Sequence, residues 1–152
     1  MSQGGIKPHA SLLPDTTRAD LERAWRDRES EAALLSAGGY HAMAVSLRVY
    51  ALEIQLKWHV CLHLDLEYLP RACKTHDLGD LVIFTGRSRE LDDPKNGNLR
   101  SNWDILAAFS KMRLNEIRYQ SSASFDAAKL AELSDALDDP ANGVLAWLSR
   151  RP

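Results

Sequence analysis

Cysteine is scarce: Cys61 and Cys73 are the only two in 152 residues. They share no C-x-x-C spacing, so neither a disulfide framework nor a paired zinc motif is encoded. Both are expected as ordinary reduced residues. Positive charge is not in excess either, because 19 Lys and Arg face 21 Asp and Glu for a net charge of −2. The broad basic footprint that dominates nonspecific nucleic-acid binding is therefore missing, and any such surface has to be local. No stretch is apolar and long enough to span a membrane. Met1 to Pro14, interrupted by Gly4, Gly5 and Pro8, has no continuous apolar run of the kind a signal peptide needs. A cytoplasmic protein without a membrane partner is the simplest expectation. No alternation of period two marks a strand, no repeat occurs, no glycine-rich phosphate loop follows a strand, and no Ser–His–Asp order is distinctive.

What is present is helical periodicity. The 45% apolar content is ordinary for a globular chain, and a chain of this length can bury roughly 70% of its unfolded surface in one domain. Pro14-Asp15-Thr16-Thr17 offers capping side chains, and Leu21, Trp25, Ala32 and Leu35 then form one stripe, interrupted by Arg28, until Gly38-Gly39. Tyr40 to about Leu66 is the longest helical candidate. It carries two stripes, one of Tyr40, Met43, Leu47, Ala51, Ile54, Trp58 and Cys61, the other of Val45, Val49, Leu52, Leu56 and His59. Two stripes mean burial on more than one side, at the centre of a bundle or shared with a dimer interface. Pro70 ends this segment. Thr75 can cap a short helix through Phe84, stopped by Gly86, and the polar stretch Arg87 to Asn98 reads as an exposed loop. Leu99 to Tyr119 is the next helix. Ser124 is the expected cap of another that contains Leu130, Leu133 and Leu137, and a last short helix holds Val144, Trp147 and Leu148. The expected fold class is all-α, five to six helices over residues 15–152, with a flexible segment at 1–14.

Several side chains could carry chemistry. Arg113 and Tyr119 fall about 120° apart on a helix, and Arg113 and Arg118 about 140°. Arginine's rigid cationic fork suits phosphate, although cations at a helix end also simply favour the dipole. Glu53 and Lys57 stand i,i+4 in the favourable order for a helix ion pair. His76 is a residue type that titrates near neutrality and so can act as acid or base; in Thr75-His76-Asp77-Leu78 it can equally serve the helix start. His59 and His63 are also i,i+4, but the glutamate of a metalloprotease helix is absent between them and nothing completes a metal site. No metal or cofactor is expected. Arg18, Arg23, Arg26 and Arg28 interleave with acids and read as a solvated face. Arg87, Arg89, Lys95, Arg100, Lys111 and Arg113 are the better set for phosphate, opposed by Glu90, Asp92 and Asp93.

Three of these segments occur in a telling order: Ala51-Leu52-Glu53-Ile54-Gln55-Leu56-Lys57, then Lys74-Thr75-His76-Asp77-Leu78, then Arg113-Leu114-Asn115-Glu116-Ile117-Arg118-Tyr119. Over about Leu21 to Leu148 the chain resembles the HEPN family (higher eukaryotes and prokaryotes nucleotide-binding domain). The resemblance implies an antiparallel helical bundle, a homodimer, and work on RNA or a nucleotide in a toxin–antitoxin or anti-phage defence setting. Ribonuclease members carry an arginine followed four to six residues later by a histidine, the two copies meeting across the dimer. The arginine steadies the phosphate and the histidine helps proton transfer as the RNA 2′-hydroxyl attacks. By that resemblance Arg113, Tyr119 and His76 would be catalytic, and Arg118, Lys57 and Glu53 would line the nucleotide or RNA groove. The window after Arg113 holds Arg118, Tyr119 and Gln120 but no histidine, and arginine stays protonated near neutral pH. The Arg–Tyr portion resembles a variant found in members paired with nucleotidyltransferases, which implies the other reading: a non-catalytic dimeric module bound to a co-encoded nucleotidyltransferase, antitoxin or other effector.

Overall fold

The computed structural model describes residues 16–112, 117 and 119–150. Among them are seven α-helices and no strand: α1 (Arg18–Ala37), α2 (His41–His63), α3 (Leu78–Phe84), α4 (Ser88–Asp92), α5 (Gly97–Met112), α6 (Ala127–Asp138) and α7 (Val144–Ser149). The all-α expectation is met, with one or two helices more than anticipated. No helix among the described residues is long and apolar enough to cross a membrane. The expected flexible segment 1–14 lies outside the described residues.

α1 starts with a complete capping box, Thr17 accepting from the Asp20 amide while the Asp20 side chain accepts from the Thr17 amide. These bonds satisfy donors that a helix start leaves open. It ends at Gly38, and Gly39 takes φ +85°, a left-handed turn that glycine enters without penalty. The chain can then reverse so that α2 packs along α1 more extensively than any other helix pair in the fold. Trp25 and Trp58 meet across that seam with ring centroids 5.9 Å apart.

α2 is the hub. It contacts α1, α3 and α6, and in its second stripe Val45, Val49, Leu52 and Leu56 are buried while His59 is partly so. Leu81 of α3, Leu106 of α5, Leu133 and Leu137 of α6, and Val144 and Leu148 of α7 close over it. Each such side chain contributes about 1.5–3 kcal/mol of burial. The first stripe changes character along the helix: Ala51 and Cys61 are buried, but Tyr40 and Met43 are exposed.

Three local expectations are corrected. Asp77, not Thr75, caps α3, accepting from the Asp80 amide at 3.1 Å, while Thr75 Oγ1 accepts from the Asp77 amide. Asp126, not Ser124, caps α6. The stretch 87–98 is not an exposed loop. Leu91 anchors α4 in the core, Asp93 caps a 3₁₀ turn at Pro94–Asn96, and the Asn96 side chain donates to the Glu90 carbonyl at 2.8 Å. Polar residues here organise backbone by bonding it, which a reading of hydropathy alone misses.

Gly143 leads into α7 where the chain doubles back on itself. A Cβ there would lie 2.5 Å from the Asp139 carbonyl oxygen and 2.7 Å from that of Leu137, both backbone atoms that cannot swing away. Gly143→Ala is therefore expected to cost about 2 kcal/mol as an overpacking strain, read as a lower urea midpoint. An unchanged midpoint would mean the turn relaxes freely.

Candidate functional site

The site is built on the middle of α2. Glu53 and Lys57, one turn apart, project from the same side, and the Lys57 ammonium donates to Glu53 Oε1 at 2.7 Å. Both side chains are largely withdrawn from water, so this is not an exposed helix pair of negligible worth. The chain leaving α2 turns through Asp65, at φ 49°, and returns past the start of α1, with the Arg18 amide donating to the Glu67 carbonyl and the Leu69 amide to the Thr16 carbonyl. Pro70 opens a 3₁₀ turn at Arg71–Cys73 that buries Cys73. The next few residues bring His76 back over α2, where its Nδ1 lies 3.0 Å from Glu53 Oε1.

Two motifs separated by some twenty residues thus meet on one carboxylate oxygen. The geometry has a chemical consequence. A carboxylate only accepts, so the bond to Glu53 requires the proton on His76 Nδ1 and leaves Nε2 as the basic nitrogen of the neutral ring. The His76 side chain is 88% exposed, with its carboxylate partner anchored in the fold at 9%. A buried acid that orients an exposed imidazole is the arrangement used to hold a general base in one tautomer.

Asp77, which caps α3, reaches the other way to Lys111 in the last turn of α5, at 3.1 Å. The Asp80 amide first, and then Lys111, hold the Asp77 carboxyl below the usual range against the opposing effect of burial. α5 is thereby tied beside the His76 segment two residues before Arg113. Arg113 and Arg118 themselves lie outside the described residues. Tyr119 is described and is 83% exposed.

The other candidates fare differently. Arg87 is buried, stacked over the Trp147 ring and bonded to Glu90 at 2.7 Å, and Arg100 is held by Asp92 and Asp104. Both are thus already engaged by neighbouring acids. Arg23, Arg26 and Arg28 pair with Asp20, Glu22 and Glu31, as a solvated mixed face should. Among the described residues no group of three His, Cys, Asp or Glu is placed to hold a metal ion. His63 packs its ring against Gly86 instead, and His59 is partly buried. Burial raises the pKa of both thiols, Cys61 and Cys73, and so keeps them in the unreactive protonated form.

Arg48 was not singled out by the sequence, although a lone arginine between Val45 and Val49 on the buried face of α2 was a usable signal. It bonds Glu29 on α1 and Asp138 on α6 at once, joining three helices. Comparison with known protein families, curated proteins and solved structures returns no match.

Proposed function

We propose that this chain is a HEPN-like helical domain, working as a homodimer on RNA or nucleotides in a toxin–antitoxin or anti-phage defence setting, and that it cleaves RNA without a metal ion. The observation that carries the reading is the meeting of Glu53, Lys57 and His76 at one carboxylate, from two motifs that only tertiary folding unites. The Asp77–Lys111 pair lends further support, because it ties the helix leading into the third motif to the second. Met43 and Tyr50 lie exposed about 20° apart on α2, next to the Lys57 direction, and the exposed Tyr40 just before the helix extends this apolar band. Such a band beside the site is what a second copy would cover.

In this mechanism His76 Nε2 takes the proton of an RNA 2′-hydroxyl, which attacks the adjacent phosphorus and expels the 5′-oxygen. That oxygen takes a proton from water as its bond to phosphorus breaks. The products are a 2′,3′-cyclic phosphate and a 5′-hydroxyl. Glu53 holds the ring in the required tautomer and supports the imidazolium that forms. Arg113 neutralises charge growing on the phosphoryl oxygens, Tyr119 and Arg118 support it, and Lys57 adds positive potential to the groove.

A second reading is favoured by the lack of histidine after Arg113: a non-catalytic dimer whose groove recognises a nucleotide or a co-encoded nucleotidyltransferase or other effector. Incubation of purified wild type and Arg113→Ala with defined transfer and messenger RNAs in EDTA separates the two. The expected result is cleavage by wild type only, leaving cyclic phosphate ends. Cleavage by an Arg113→Ala protein of unchanged helicity removes Arg113 from the mechanism. No cleavage by either, with a stable complex formed on a co-encoded partner, establishes the binding module.

A further inference from the structure

On the far side of α2 from this cluster, α1, α2 and α6 border a half-open groove of about 460 Å³. Arg48, at one end of it, is about 140° round the helix from Glu53. α1 lines the groove with Glu29, Ala32, Ala33 and Ser36, the positions i, i+3, i+4 and i+7 that make one helix face over two turns. α2 repeats that spacing over residues 41–48, and α6 over residues 127–134. The floor, Ala32 and Ala44 with Val45, is buried, while Ala33 and Ala131 on the two walls stand exposed. Three helix faces thus converge on a channel about 10 Å long. A small molecule here would keep much of its surface in water, whereas small-ligand sites cover roughly 70–90% of theirs. What fits an open channel of this form is another helix laid along it. Alanine at the contact positions lets helix axes approach closely.

The two ends differ in charge. Arg48 donates Nε to Glu29 Oε2 at 3.0 Å and both terminal nitrogens to the two Asp138 oxygens at 2.6 Å each. Two carboxylates share one cation, so this end is left with a negative charge in excess. Its accessible part is the Asp138 carboxylate, whose side chain is 53% exposed at the rim. Asp135, exposed one turn earlier on α6, adds to the acid there. The opposite end is neutral and polar, with Ser36 Oγ lying 3.4 Å from His41 Nδ1.

We propose that this groove seats an amphipathic α-helix of a partner protein, its apolar face along the alanine walls and a lysine or arginine at one end resting on Asp138. Apolar anchors at i, i+3, i+4 and i+7 are the usual way such a helix enters a groove. A helix acidic at the Arg48 end would meet carboxylates whose one cation is already engaged. A basic one brings the charge that this end lacks, and such complementarity selects between partners. The groove lies well round α2 from Glu53 and His76, so the proposal stands apart from whether that cluster cuts RNA.

Fluorescence anisotropy of a labelled peptide, titrated with the full chain, tests this. The probe is an alanine-based helix of about four turns, with leucines at i, i+3, i+4 and i+7 and lysines at both ends. Its two counterparts carry glutamate for lysine, or serine for leucine. The lysine peptide is expected to bind saturably and about tenfold tighter than the glutamate peptide or better, and the serine peptide not measurably. Ala131→Phe, at an exposed wall position, fills the groove and should abolish binding while melting temperature and helicity stay as in wild type. Asp138→Asn should narrow the difference between lysine and glutamate peptides; if that variant fails to fold, Ala131→Phe alone decides. No saturable binding at millimolar concentration, equal binding of lysine and glutamate peptides, or full binding to folded Ala131→Phe would each overturn the proposal. So would sedimentation showing that wild type self-associates and Ala131→Phe does not, which gives the groove to a second copy.

Discussion

His76→Ala is expected to slow single-turnover RNA cleavage by about 10²–10⁴-fold, the usual contribution of a positioned acid–base group, with the fold unchanged. The structural cost should be small, because the ring is almost wholly exposed and gives up one bond to Glu53. Glu53→Gln is the sharper partner experiment. Glutamine still offers an acceptor oxygen to Nδ1–H and to Lys57, so geometry survives while the negative charge that supports the imidazolium is lost. Its signature is a rate loss smaller than that of His76→Ala in a protein of unchanged helicity. If His76→Ala cleaves at the wild-type rate, the cluster is a structural cap on α3 and the proton acceptor lies elsewhere. If Glu53→Gln cleaves at the wild-type rate while His76→Ala does not, the Glu53 charge plays no part and the residue acts only by holding the loop.

Acid should weaken the fold well before the carboxylates are titrated, and His59 should be the reason. Burial, aided by the nearby Arg87 charge, lowers its pKa to about 4, and its Nε2 is buried without a hydrogen-bond partner among the described residues. In the unfolded chain the same ring titrates at about 6.5. Between these values the unfolded state binds a proton that the folded state refuses, so stability is full above the unfolded pKa and drains as pH falls toward the folded one. The loss is about 2 kcal/mol between pH 7 and pH 5. Glu29 works in the opposite sense, its raised pKa letting the folded state take up a proton first. Asp77 and Glu90, whose pKa values are lowered, add their losses only as pH approaches the ordinary carboxylate range. Urea unfolding of wild type and His59→Leu at the two pH values isolates the contribution. The variant's stability should be nearly flat over this interval, and an equal slope in both proteins would assign the acid sensitivity to another group.

Much of this architecture was legible in the residues. The Thr17 cap, the Gly38-Gly39 break and the buried stripe of Val45, Val49, Leu52 and Leu56 follow from short-range rules, in which a side chain acts within one turn of its own backbone. The misplacements at Thr75 and Ser124 were also short-range. In each, an aspartate two residues later captured the amides for which the hydroxyl residue was the first plausible acceptor. The segment 87–98 was misread because polarity was taken for exposure. Arg87 is buried because Trp147, sixty residues away, supplies a ring to stack on and shares Glu90 with it at 2.8 Å.

By itself, then, the sequence determined the all-helical class, the order of the principal helices and the side chains able to do chemistry, because helix periodicity and capping are written in neighbouring residues. Whether those side chains cooperate was decided by the tertiary structure. His76 meets Glu53 only because the chain after α2 reverses and recrosses it, and Arg48 joins α1 to α6 only because both pack against α2. Such contacts depend on where the hydrophobic core sets whole helices, and no local pattern in the chain encodes that placement.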